Sequence, residues 1–447
     1  MTKISIIGAG SAVFSLGLVR DLCLTPNLAG STVSLMDVDE GRLSAISALC
    51  RRYAAETGAK LAIEATTDRR ESLRDATFVV NTALAAGHDR LRAGWTIARR
   101  HGYRFGGSLH VMHDEAFWIN FYQLRLMDEI VRDIEEVCPD AWYLLVANPV
   151  LAGVTLLKRR YPELRLVGLC HGYGGVHQII DALGFDRADV TYELPGVNHF
   201  IWLTKFLHKG ENAFPALDRW IAEKAEAAHR AGRPSDGMGP KAIDLYRRFG
   251  VFPIGDTCTP GGGSWPFWHH VDDDVEARFG EDPNAWWEAH FTSGERTTEG
   301  IRRVVEDTRA SVVEAYPAKH SGETMIPLVE SIACDIPRIQ IVNVLNDGGY
   351  VPGVPLDFSV EIPALVSGKG VQGIHTDGLP PLVLSHLLRD RVAPVNAELT
   401  AFTGRHREAL RSMLLMDPFT RSLDQAERLI DDLLAMPAHE EMRRHFS

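Results

Sequence analysis

The residues best suited to chemistry sit in two short stretches. LVGLCHG, residues 166–172, ends an apolar run abruptly in Cys170 and His171, and GVNHF, residues 196–200, sets Asn198 and His199 inside another apolar segment. A thiolate is a soft ligand and an imidazole an intermediate one, a pair that suits Zn2+ or Co2+ more obviously than Mn2+. Two protein ligands are too few for a closed structural metal site, which normally has four. An open shell instead leaves room for substrate oxygens. The alternative is a small buried residue at 170 and a hydrogen-bonded core imidazole at 199.

A second constellation opens the chain. KISIIGAGS runs an alternating β-branched strand, Lys3 to Ile7, into a turn at Gly8, Gly10 and Ser11, and Ala12, Val13 and Phe14 begin a helical apolar pattern. Glycines there let the backbone approach a pyrophosphate, and the helix N-terminus offers free N–H groups and a favourable dipole. The next strand, STVSLMD, ends in Asp37, suited to accept hydrogen bonds from an adenosine ribose. Two departures from the dinucleotide fingerprint are visible. Val13 takes the third glycine position, and Asp37 lies 27 residues beyond Gly10, with TPNLAGS as the insert that lengthens the span.

The elements that must position these groups alternate through the first part of the chain. Helix EGRLSAISALCRRYAAE, strand KLAIEAT, a short helix at RRESL and strand ATFVVNTA come first. After a loop come helix EAFWINFYQLRLMDEIVRDIEEV, strand AWYLLVANP, helix VLAGVTLLKRR and strand LRLVGLC. Such alternation calls for a parallel, doubly wound sheet, in which ligands sit beyond the carboxyl ends of the strands. Asn81, Asn148 and Cys170 fall at those ends. From about Val190 the alternation breaks. PALDRWIAEKAEAAHRAGRP reads as an exposed amphipathic helix, IQIVNVLN and DFSVEIPALV as antiparallel strands, and ELTAFTGRHREALRSMLLMD and SLDQAERLIDDLLAM as helices with an apolar stripe. The expected architecture is α/β, with a Rossmann-like domain over 1–189 and an α+β domain over 190–447 that binds substrate, completes the metal site and carries subunit contacts.

With 447 residues, 45% hydrophobic and 24% charged, the chain has room for two domains or one large α/β unit. A formal net charge of −12 argues against nucleic acid as a partner. No run approaches the ~18 apolar residues of a membrane span. The N-terminus carries no evident signal peptide, and six scattered cysteines without a CxxC pair suggest reduced thiols in a cytoplasm.

Read in order, Gly8-Ala9-Gly10-Ser11, TTDRRESLRDATFVVNT, VANP, GLCHG, GVNHF and FGVFPIGD, with VNVLNDGGYVPGVPLDFSVEIP beyond them, resemble the NAD-dependent glycoside hydrolases of family 4 over essentially the whole chain. HGYRFGGSLHVMHDEAFWINFYQLRLMDEI and GLCHGYGGVHQI look most like the α-galacturonidase and α-glucuronidase branch. That family stands apart from the two-carboxylate glycosidases. The resemblance implies NAD bound at Gly8, Gly10, Ser11, Ala12, Val13, Phe14, Asp37 and Asn81. It implies a divalent metal, usually Mn2+, on Cys170 and His199, with Asn148, Asn198, Arg104 and His113 about the substrate. Asp256, after FPIG, would be the base near C2, with Tyr246 its rival and His171 a supporting or proton-transferring group. His171 stands where phosphoglycosidases carry Asp, which puts a 6-phosphate substrate in doubt.

The implied reaction is transient oxidation at C3, proton removal at C2, β-elimination of the glycosidic oxygen, water addition and re-reduction. A galacturonide is the preferred glycone; a glucuronide, glucoside or galactoside is the alternative, as is a 2-hydroxy-acid dehydrogenase-like oxidoreductase. A uronate needs a basic clamp, for which Arg104, Arg247, Arg248 and Lys319 are candidates. A homodimer or homotetramer is expected. In DTCTPGGGSWPFWHH the aromatics suit either sugar stacking or a domain interface.

Overall fold

A computed structural model describes residues 2–232, 238–259, 265–307 and 309–447, and within these the backbone but not the side chains of residues 12 and 13. Residues 260–264, the glycine-rich centre of DTCTPGGGSWPFWHH, lie outside the described residues.

Six strands alternate with helices as the apolar runs require: β1 (Lys3–Ile7), β2 (Thr32–Met36), β3 (Ala62–Thr66), β4 (Phe78–Asn81), β5 (Trp142–Leu145) and β6 (Leu166–Gly168). They pair in parallel in the order β3-β2-β1-β4-β5-β6. Their register brings every carboxyl end into one line. Thr66 neighbours Met36, Met36 neighbours Ile7, Ile7 neighbours Asn81, Asn81 neighbours Leu145 and Leu145 neighbours Gly168. Whatever follows those residues therefore shares a rim, including Gly8, Asp37, Asn148 and Cys170.

The sheet does not stop at β6. Strand Arg338–Leu345 joins it antiparallel through Asn343 and Gly168, then Ser359–Ser367, Gly196–Val197, Phe200–Leu203 and Phe252–Ile254 follow. The antiparallel strands expected from IQIVNVLN and DFSVEIPALV are thus an extension of the parallel sheet rather than a sheet of their own. Among the described residues twelve strands form this mixed sheet, with Gly370–Gly373 paired to Ser359–Ser367.

Helices cover both faces. Ala12–Cys23, Glu40–Thr57 and Met325–Cys334 bury Leu16, Leu49, Leu328 and their neighbours on one side. Phe117–Val137 and Val150–Arg160 bury Leu124, Met127, Val154 and Leu157 on the other. Several helices go beyond the sequence reading, Gly175–Leu183, Pro240–Phe249 and Met325–Cys334 among them, and two are long. Gly87–Arg100 occupies what reads as a loop, and Pro283–Glu306 starts from an Asp282 side chain that accepts from the Ala285 N–H, with Pro283 in its first turn, the usual signature of a helix start. The amphipathic helix after Ala213 comes in two pieces, Phe214–Glu223 and Ala225–Arg230. No helix among the described residues is long and apolar enough to cross a membrane.

Candidate active site

Cys170 leaves β6 at the rim and enters the short turn Gly172–Gly174 ahead of helix Gly175–Leu183. Its Sγ accepts from the Gly172 N–H at 3.4 Å. His199 arrives from the antiparallel half. Val197 pairs with Phe200, so Asn198 and His199 form a two-residue hairpin turn instead of a strand interior. His199 takes a left-handed φ of +60°, a conformation that costs a non-glycine residue on the order of 1–2 kcal/mol and collects at functional sites. Asp256 comes from the turn Gly255–Thr257 that ends strand Phe252–Ile254. Thr257 ties that turn to the histidine's strand, its Oγ1 accepting from the Ile201 N–H at 2.9 Å and donating to the Ile201 carbonyl at 3.1 Å.

Three elements thus converge. Ligand atoms of Cys170, His199 and Asp256 all lie within 4.8 Å of one another. His199 Nε2 stands 3.3 Å from Asp256 Oδ2, and its Nδ1 stands 2.9 Å from Glu115 Oε1. Burial alone would push this imidazole down, but the Asp256 and Glu115 carboxylates hold it well above its usual value. Burial pushes the Cys170 thiol up, and the hydrogen bond with His199 offsets only part of that rise. A thiol, an imidazole and a carboxylate sharing one small space, with carboxylates that favour a positive charge there, fit a divalent cation with an open shell.

The remaining rim residues divide into those turned to the site and those spent on holding it. Asn148 donates to Asp114 Oδ2 at 3.4 Å, and His113 Nδ1 meets Asp114 Oδ1 at 2.6 Å, its ring 6.1 Å from that of His199. His171 is exposed and 4.0 Å from Glu323. Asn198 is buried and donates to Glu361 Oε2 at 3.0 Å, a strut behind the cluster. Burial pushes the Glu361 carboxyl up, against the hydrogen bond from Asn198. Tyr246 is not among the converging groups. Its hydroxyl donates to Asp218 at 2.9 Å, and burial followed by Asp218 pushes it up. Arg104 is paired with Asp273 at 2.7 Å and Glu276 at 3.1 Å.

At the other end of the rim Gly8 has φ +85°, and a Cβ there would lie 2.5 Å from Ala83 Cα, so only glycine fits. The Gly10 N–H donates to Asp37 Oδ2 at 2.8 Å, placing the acidic group beside the turn. Among the described residues no side chain caps helix Ala12–Cys23 at Ser11, which leaves its first N–H groups open toward an anion. Phe14 is half-buried against the core on this side. Asn81 is fully buried, donating to the Tyr143 hydroxyl and accepting from the Ala83 N–H.

Several contributors carry weaker sequence signals. Gln123 donates to the carbonyls of Ala83 and Asn148 and accepts from the Ala85 N–H, lacing the loops after β4 and β5 together. Thr259 donates to Asp256 Oδ1 at 3.1 Å. Glu361 is a lone acid in the apolar stretch FSVEIPALV, and a charge where burial is expected is the signal that could have found it; Glu115 closes the polar run His113-Asp114-Glu115 ahead of a buried helix. Trp265 is buried against Phe200, Trp202 and Trp268, an interior packing role. His269 and His270 pair with Asp244 and Glu276, outside the converging cluster.

Residues 3–185 match the model of the family 4 glycosyl hydrolases, and residues 194–420 match the model of their C-terminal domain. The chain belongs to family 4 of the glycosyl hydrolases and is a glycosidase, so the dehydrogenase reading falls. It is similar to an alpha-galactosidase of Bacillus subtilis, at 24% identity over 98% of this chain and 96% of that protein. It is likewise similar to an alpha-galacturonidase of Thermoanaerobacterium saccharolyticum, at 24% identity over 96% and 94%. A solved 6-phospho-alpha-glucosidase from gut microorganisms, in complex with NAD and Mn2+, shares the fold with a TM-score of 0.80 at 19% identity, covering 97% of each chain.

Proposed function

We propose that this chain is an NAD- and divalent-metal-dependent α-glycosidase acting on an unphosphorylated glycone, an α-galacturonide first. The observation that carries the reading is the convergence of Cys170, His199 and Asp256 on the rim that also bears the Gly8–Gly10 turn. Residues 1–189 would hold the dinucleotide, at Gly8, Gly10, Ser11, Asp37 and the open N-terminus of helix Ala12–Cys23, and residues 190–447 would complete the metal site. Cys170 and His199 would hold the ion, Mn2+ by analogy with the solved 6-phospho-alpha-glucosidase. When bound, the nicotinamide supplies a reversible hydride acceptor for C3 of the sugar and the ion a Lewis acid for the neighbouring oxygens.

The chain's own residues do the rest. Thr259 occupies one oxygen of Asp256, which leaves the other directed at the cluster to take the proton from C2. The bond to the aglycone then breaks by elimination across C1 and C2, water adds its hydroxyl at C1 and supplies the proton that the departing aglycone oxygen takes up, and Asp256 returns the first proton to C2. Asn148, steadied by Asp114, and His113 suit the sugar hydroxyls. Orientation and exclusion of water, rather than an extreme base, lower this barrier.

A neutral α-galactoside is the second reading, favoured by a specific observation. Arg104 and Arg248 are engaged by carboxylates, which takes two of the four basic side chains away from a uronate clamp. A panel of nitrophenyl α- and β-glycosides, neutral, uronic and 6-phosphorylated, assayed with NAD+, Mn2+ and a thiol reductant, tests both. Turnover of the α-galacturonide supports the first reading and turnover of the α-galactoside alone the second. Activity confined to 6-phosphates overturns both.

A further inference from the structure

The imidazole of His199 has two nitrogens, and the fold gives each a different neighbour. Nε2 is turned to Asp256 and Cys170, while Nδ1 is turned to Glu115 Oε1 at 2.9 Å. Glu115 is 2% exposed and lies in the irregular segment just ahead of helix Phe117–Val137. Its own N–H donates to His113 Nδ1 at 3.3 Å. A second buried charge lies within electrostatic reach of Glu115. Arg391, also 2% exposed, sits on the π-helical turn Leu388–Val392, its guanidinium 5.4 Å from the ring of Phe200, the residue after His199. Such π-turns gather at functional positions. A buried carboxylate is costly to keep without a task, and Glu115 Oε1 stands at ion-pair distance from the His199 nitrogen that faces away from Asp256, neither atom having a hydrogen-bond partner elsewhere among the described residues.

We propose that Glu115 is the positioning residue of the metal site: it holds His199 through Nδ1, so that Nε2 is the nitrogen presented beside Cys170. The inference rests on the metal site proposed above. The turn bearing His199 is a two-residue loop in which His199 itself is left-handed, and nothing in such a loop fixes the ring's rotation. A carboxylate on the non-ligating nitrogen fixes both the tautomer and the ring and makes the ligand more basic, and removing it typically costs 10–100-fold in metal affinity. If Glu115 served only to neutralise Arg391, its loss would lower stability and leave the affinity for the ion unchanged.

The test measures Mn2+ binding by the paramagnetic resonance signal of the free ion, on the full chain without substrate, for wild type, Cys170→Ser, Glu115→Gln and Glu115→Asp. NAD+ binding serves as the check on folding. The expected result is near-complete loss of Mn2+ binding in Cys170→Ser. Glu115→Gln should weaken binding about 10–100-fold with NAD+ binding intact. Should the glutamine variant not fold, Glu115→Asp carries the comparison, since it keeps the charge but withdraws it from Nδ1, and it too should weaken Mn2+. Wild-type affinity in the folded Glu115 variants, with binding lost in Cys170→Ser, overturns the role of Glu115 and leaves the metal site standing. Wild-type affinity in Cys170→Ser overturns the metal site and this inference with it.

Discussion

Gly255 and Gly172 meet backbone to backbone: a Cβ built on Gly255 would lie 2.3 Å from the Gly172 carbonyl oxygen. That approach sets Asp256 beside the loop that carries Cys170, joining the antiparallel half of the sheet to the parallel rim. Gly255 also has φ +58°, so a side chain there meets a clash and an unfavourable backbone together. Gly255→Ala is expected to lose roughly 2 kcal/mol or more of stability and to weaken Mn2+ binding as the loop that carries Cys170 is pushed back from Gly172. Chemical denaturation and metal titration of the variant check both. Unchanged values would mean that the loops tolerate separation.

Asp256 and Tyr246 make opposite predictions. Asp256 shares the cluster with Cys170 and His199, whereas the Tyr246 hydroxyl is bonded to Asp218. Asp256→Asn should lower kcat by about 10²–10⁴-fold, the range for loss of a general base, and abolish exchange of the substrate's C2 hydrogen with deuterated solvent. Tyr246→Phe should stay within a few-fold of wild type. The reverse pattern would transfer the base to Tyr246.

The pH dependence of metal binding follows from His199 and Cys170. Asp256 and Glu115 overcome the effect of burial and raise the imidazole, and burial raises the thiol. In the metal-free protein the histidine's charge adds stability that is full below its unfolded value of 6.5 and is lost as pH rises through the higher folded value. A cation must displace these protons, so its affinity should climb with pH, by about tenfold per unit for each proton released. Isothermal titration in two buffers of different ionisation heat counts the protons. A flat profile between pH 6 and 8 would contradict this.

Acid stability has a different origin. Burial pushes His269 down to about 4 and His270 down to about 3, from 6.5. Both stay neutral in the fold while the unfolded chain takes up protons, so their contribution is full above pH 6.5 and is lost as pH falls toward 4 and 3. The expected slope is about 1.4 kcal/mol per pH unit for each imidazole. Urea unfolding at pH 7 and pH 5 should show the loss, and His270→Asn should reduce it.

Much of this was legible in the residues. Strands buried on both faces write themselves as short apolar runs, as β1, β2, β4, β5 and β6 do, so the alternation and the rim that follows are readable, and with them Cys170, Gly8 and Asp37. Helix Gly87–Arg100 hides because Arg90, Arg92, Arg99 and Arg100 crowd a stripe of only Leu91, Trp95, Ile97 and Ala98. Helix Pro283–Glu306 buries little beyond Trp287, Phe291 and Ile301, so its periodicity is faint and only Asp282 and Pro283 mark its start. His199 reads as a strand residue, since nothing in GVNHF announces a turn without a glycine at its left-handed position. Glu115 meets His199 across a long sequence separation, a contact no local pattern encodes, and the pairing of Arg104 with Asp273 and Glu276 is equally nonlocal.

The most direct test of the central claim is an anomalous difference map from crystals grown with Mn2+ and NAD+, recorded near the manganese edge. One strong peak is expected, bonded to Cys170 Sγ and His199 Nε2, with Glu115 beside the ring's other nitrogen, Nδ1. A peak held by other residues, or none at saturating Mn2+, would contradict it.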